Sequence, residues 1–130
     1  MCQAGNIMNS TVSVDIKTTF INTRTQPEQQ RYVYAYTITI TNHGEETAQL
    51  ISRHWKIRDE KNNVQEVQGM GVVGEQPSIQ AGDSYTYTSG VILETTTGMM
   101  EGTYQMRKDN GEMFDVAIPL FALVPPYAMH

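Results

Sequence analysis

Apolar and polar residues alternate with a period of two along most of the chain. Val12, Val14, Ile16, Thr18 and Phe20 fall on one side of an extended segment, with Ser13, Asp15, Lys17 and Thr19 on the other. A strand holds that pattern with one face buried and one wet. Next, Tyr32, Tyr34, Tyr36, Ile38 and Ile40 interleave with Val33, Ala35, Thr37, Thr39 and Thr41. Such β-branched and aromatic residues suit a pleated sheet and lose rotamer freedom in a helix. Asn42-His43-Gly44 ends the run in turn chemistry. Residues 49–58 predict a third strand, with Ile51, Arg53, Trp55 and Ile57 opposite Leu50, Ser52, His54 and Lys56. A polar turn at 59–63 leads into a short returning strand at 64–67. Residues 84–93 predict a strand with Tyr85, Tyr87 and Ser89 on one face. After a turn at 95–98, Met100, Gly102, Tyr104 and Met106 alternate with Glu101, Thr103, Gln105 and Arg107. Asn110-Gly111 predicts a type I′ hairpin, because both residues tolerate positive φ. Phe114, Val116, Ile118 and Leu120 share a face of the last strand, which Pro119, Pro125 and Pro126 are expected to end.

No segment carries a helical stripe of useful length. Many short strands with polar turns between them predict an all-β fold, an antiparallel β-sandwich. The 130 residues suit one domain spanning 1–130, with residues 1–10 expected to be a flexible N-terminal segment. The single cysteine, Cys2, leaves no intramolecular disulfide, so Trp55 is expected to fill the core by packing alone. Nine Lys and Arg against fourteen Asp and Glu give a net charge of −5, which argues against nucleic acid and anionic membrane as partners. No run approaches the ~20 apolar residues of a membrane span, and the first residues lack the basic and apolar regions of a signal peptide. The expectation is a reduced, cytoplasmic protein without membrane insertion.

Gly69-Met70-Gly71-Val72-Val73-Gly74 fits the G-x-G-x-x-G spacing of dinucleotide-binding turns. Its context does not fit, because Pro77 and a further strand follow where a helix should begin. A glycine loop between strands, or a bulge, is the better reading, with an anion-binding nest of backbone N–H groups as its functional variant. Arg53, His54 and Arg58 are the cations that could assist. His43, His54 and His130 show no paired ligand spacing, and Asp59, Glu60, Asp109 and Glu112 read as solvated turn carboxylates, so no metal site and no cofactor is assigned. No nucleophile elbow or acid–base pair appears. Met70, Met99, Met100, Met106 and Met113 read as core filler before a partner-binding face.

These stretches together resemble the bacterial ApaG family. The resemblance rests on residues 31–42, on Arg53-His54-Trp55-Lys56-Ile57, and above all on residues 67–77. Residues 82–90, 98–106 and 125–130 complete it, so that it covers nearly the whole chain from about Val12. Ala81 departs from the family, which often carries proline there. The resemblance implies an immunoglobulin-like, fibronectin type III-like sandwich and an association with cobalt resistance and magnesium efflux. It also implies a protein-binding role, since the domain is fused to F-box and polymerase-interacting proteins in eukaryotes. A pyrophosphate-binding role suggested for the glycine motif maps to Gly69, Gly71 and Gly74.

The leading expectation is therefore a non-enzymatic module that binds an unidentified protein partner and touches cation homeostasis indirectly. The alternative is a binder of phosphate, pyrophosphate or a nucleotide, with Gly69, Gly71, Gly74, Arg53 and His54 as the site. Direct divalent-metal binding is the third reading. A homodimer through an exposed edge strand is open, but the sequence does not identify the edge.

Overall fold

The computed structural model describes residues 11–26 and 29–126. The expected flexible segment at 1–10, Cys2 and His130 lie outside the described residues. Eight strands run in the order β1 (Val12–Gln26), β2 (Gln29–Asn42), β3 (Ala48–Asp59), β4 (Val64–Met70), β5 (Ser78–Ile79), β6 (Ser84–Leu93), β7 (Gly98–Lys108) and β8 (Met113–Leu123). They form two antiparallel sheets, one ordered β1-β2-β6 and the other β4-β3-β7-β8, with β5 pairing the start of β3. This is the expected β-sandwich. The two-residue β5 is the one strand with no signal in the alternation.

The inward rows meet in one core. Tyr34, Tyr36, Ile38 and Ile40 of β2 are all buried, as their alternation predicts. Trp55 is 2% exposed and fills the centre of the core by packing alone, as expected. Its ring meets Tyr36, Phe121 and Tyr104 edge-on at centroid distances of 5.4, 5.9 and 6.4 Å, the geometry aromatic quadrupoles favour. Above it, the hydroxyls of Tyr87 and Tyr104 share a short hydrogen bond between the sheets. Burial is the main cause that holds both tyrosines protonated well above the ordinary phenol range.

Two expected faces are corrected by β-bulges. In β3 the register against β7 slips between Leu50 and Ser52, so Ile51 is the extra residue. Leu50 before it and Trp55 after it therefore both point inward, although strict alternation puts them on opposite faces. In β8 the slip falls opposite Glu101, between Ile118 and Phe121. Leu120 is then 58% exposed while Leu123 is fully buried. Pro119 sits at this irregularity, on an edge strand where its missing N–H breaks no ladder, and β8 continues through it to Leu123.

The Asn110-Gly111 turn also differs from expectation. Only Gly111 has positive φ, Gly111 N–H donates to Lys108 O at 2.9 Å, and Lys108 N–H donates to Glu112 O at 2.9 Å. That is a three-residue loop closed by a left-handed glycine, not a type I′ turn. The β3–β4 connection repeats it with Asn62 at φ 65°. At its base Asp59 Oδ1 accepts the N–H groups of Lys61 and Asn63, and Glu60 Oε2 accepts Thr97 N–H and Oγ1. Partial desolvation of the Asp59 carboxyl, which opposes ionisation, is outweighed by the Asn63 and Lys61 hydrogen bonds, so its pKa falls below the usual value. These two carboxylates tie loops together.

Candidate functional site

The type I′ geometry appears instead inside the glycine motif. Val73 and Gly74 have φ of 47° and 81°. Val72 N–H donates to Glu75 O at 2.8 Å and Glu75 N–H returns to Val72 O at 2.9 Å. This two-residue hairpin is anchored by the β3 bulge: Ile51 O accepts Gly71 N–H at 2.8 Å and Gln76 Nε2 at 2.9 Å. Gly71 is fixed twice over. Its φ is 65°, and an added Cβ would lie 2.1 Å from Glu75 O. Val72 is fully buried beneath the turn, whereas Met70 and Val73 are 66% and 62% exposed.

Arg53 completes the anchor. It occupies the row of buried Tyr104 on one side and Gly69 on the other. Because Gly69 has no side chain, the guanidinium lies across its Cα, where an added Cβ would approach Nη1 to 2.8 Å. From there Nη1 donates to Gly71 O at 2.8 Å and Met70 O at 3.2 Å. The motif's spacing thus serves a clamped hairpin: a site for Arg53 at Gly69, closure at Gly71, and the second turn residue at Gly74. The amides of Gly71, Val72 and Glu75 are spent within this network.

Beside the hairpin, on the outer face of the larger sheet, lies an open cleft of about 600 Å³. Cross-strand rows build its floor: Gln68, His54 and Thr103 in one, Met70, Ser52, Gln105 and Asp115 in the next. Ser52 Oγ donates to Gln105 Oε1 at 3.3 Å, and His54 Nε2 lies 2.8 Å from Glu66 Oε1. The cleft is therefore polar, with both charge signs on its walls and an apolar rim at Met70. Of the residues expected to form a site, Arg53, His54 and Gly69 all border it, but His54 projects into it while Arg53, on the face of Tyr104 and Trp55, also lines the cleft between the sheets. Gly71 and Gly74 lie outside that lining in the hairpin, and Arg58 is four residues along β3 from His54. Val73 carried no signal in the sequence, since nothing in composition marks a valine for positive φ. The methionines divide: Met100 and Met106 are core, while Met70, Met99 and Met113 are exposed.

Among the described residues no three His, Cys, Asp or Glu side chains gather as a metal-holding group. No helix among them is long and apolar enough to cross a membrane.

Comparison with known proteins agrees with this architecture. Residues 22–108 match the ApaG domain. Protein ApaG of Dechloromonas aromatica is 55% identical over 111 residues, covering 85% of this chain and 87% of the relative. Protein ApaG of Pseudomonas aeruginosa is 51% identical over 119 residues, covering 92% and 94%. An X-ray structure of a structural-genomics target superposes with a TM-score of 0.92 at 44% identity, covering 95% of this chain and 93% of that one. A crystal structure from Bordetella pertussis, described as an ApaA protein, superposes at 0.83 with 46% identity, covering 88% and 94%. With a domain match across most of its length and relatives at half identity over nearly all of it, the chain belongs to the ApaG family.

Proposed function

We propose that this ApaG-family chain is a non-enzymatic binding module of the cytoplasm, which contacts a protein partner through the glycine hairpin and the adjoining polar cleft. The observation that carries the reading is Val73. A β-branched residue at φ 47° is strained, and this one is also 62% exposed. Strain of that kind costs about 1–3 kcal/mol and persists where the surroundings over-determine it, often at binding sites. Here the bulge, Gly71 and Arg53 hold Val73 exposed at the turn, while exposed Met70 lines the adjoining cleft of mixed charge. An apolar anchor flanked by polar groups suits a protein surface. Influence on cobalt resistance and magnesium efflux is then indirect, through the partner.

Affinity capture with the full chain tests this. Met70→Asp and Val73→Asp, made separately, should each lose the proteins that the parent retains, with melting temperature as the folding control. Unchanged recovery by both variants would move the contact elsewhere. The anion reading is favoured by one observation, that Arg53, His54 and Gly69 share a cleft, and opposed by the engagement of Arg53 and three loop amides. A saturable thermal shift with pyrophosphate or a nucleotide would promote it.

A further inference from the structure

The smaller sheet ends on β6, and no described strand other than β2 pairs with it. The free edges are not alike. β1 carries Asp15, Lys17 and a bulge at Ile21, β4 carries Glu66, and β8 carries Asp115, Pro119 and its own bulge. Charges, prolines and bulges are the devices that stop edge strands from pairing. β6 has none of them: its ten residues, Ser84–Leu93, include no charge and no proline, and they pair with β2 without a register break. The flank beside it is also open. β1 and β8 close the sandwich on one side, but on the other a cleft of about 560 Å³ reaches between the sheets to Trp55, Val67, Val91 and Met100. Ile92 beside it is 50% exposed.

We infer that β6 pairs antiparallel with β6 of a second copy of this chain, joining two three-stranded sheets into one of six strands about a two-fold axis. A two-fold seam brings each residue near its own symmetry mate, so any charge on the strand would face a like charge. In a chain of net charge −5, β6 is the one long edge that meets itself without that cost. An axis at Thr88 keeps both faces continuous. Tyr85 of one copy then opposes Val91 of the other on the inward face, at the mouth of the open cleft, while Ser84 opposes Ile92 on the outward face. Ten residues at ~3.3 Å each make an edge about 33 Å long. A single pair of edge strands is a small interface of the weak, transient kind, so the dimer dissociates on dilution. The cleft beside β6 shares Arg53 with the hairpin clamp, but the strand pairing itself uses none of the hairpin residues, and the inference does not depend on the function proposed above.

Sedimentation velocity of the full chain from micromolar to sub-millimolar concentration tests it. The parent should shift from monomer to dimer mass across that range. Thr86→Lys with Thr88→Lys sets like charges across the seam at exposed positions and should leave a monomer at every concentration, with the melting curve as folding control. Thr19→Lys, an equivalent change on β1, should dimerise like the parent. Independently, Thr88→Cys in a Cys2→Ser background should oxidise to a covalent dimer. A parent that stays monomeric, a double-lysine variant that dimerises as well as the parent, or a Thr88→Cys chain that forms no crosslink would each overturn the inference.

Discussion

Arg53 Nη1 donates to the carbonyl of Gly71 at 2.8 Å, tying a central strand of one sheet to the base of the glycine hairpin. A charged donor in a partly buried site contributes about 1–2 kcal/mol, so Arg53→Ala should lower stability by that amount. Arg53→Lys should restore little, because a single ammonium cannot lie flat over Gly69 while reaching both carbonyls. Hydrogen exchange should report faster exchange at the Gly71 and Val72 amides in both variants. Unchanged protection there would show that the clamp is dispensable.

Val73→Asn should raise stability by about 1 kcal/mol, since asparagine accepts the left-handed region that valine resists. For a domain of this size that is a gain of a few degrees in thermal unfolding. A neutral or destabilising result would mean that Val73 makes a compensating contact.

The bulge at Ile51 puts Leu50 and Trp55 on one face. Deleting Ile51 leaves Leu50 and Trp55 on the same face of an unbulged strand, so the core row is kept, but it removes the carbonyl that anchors Gly71 and Gln76. A loss of about 1–3 kcal/mol with unfolding still cooperative is expected, since the lost acceptor leaves two donors to find other partners. Circular dichroism melting reads this directly.

Tyr87 and Tyr104 form a buried hydroxyl pair. Tyr87→Phe alone leaves the Tyr104 hydroxyl without that partner and should cost about 1–3 kcal/mol, whereas the double Phe variant should cost no more than the single. Their pKa values are raised above the unfolded value, chiefly by burial. The stability they contribute is therefore fully present below about pH 10 and lost as pH rises beyond it. Denaturant unfolding at alkaline pH should show a steeper loss in the parent than in the double Phe variant.

Much of this architecture was legible in the alternation. The inward row of β2, from Tyr34 to Ile40, is buried where its period of two places it, because an uninterrupted strand in a sandwich has no other way to satisfy both faces. What escaped were single-residue irregularities. Ile51 and Pro119 shift the faces of β3 and β8 without any local signature, since a bulge is chosen by what the neighbouring strand can accommodate. Asn110-Gly111, the strongest turn signal, adopts a different turn, and type I′ geometry falls on Val73-Gly74, where tertiary anchoring overrides the preference of valine. The candidate site was partly legible. Arg53, His54 and Gly69 do share a cleft, but the glycine spacing is consumed by hairpin closure and the Arg53 clamp, which only the three-dimensional path reveals.

The measurement that tests the central claim most directly is photo-crosslinking in cells from a reactive residue placed at position 73, compared with one at position 17 on the outer face of β1. A discrete protein adduct is expected from position 73 and none from 17, lost when Arg53→Ala is added because the turn is no longer held. The absence of any adduct from position 73, or the same adduct from both positions, would contradict the claim.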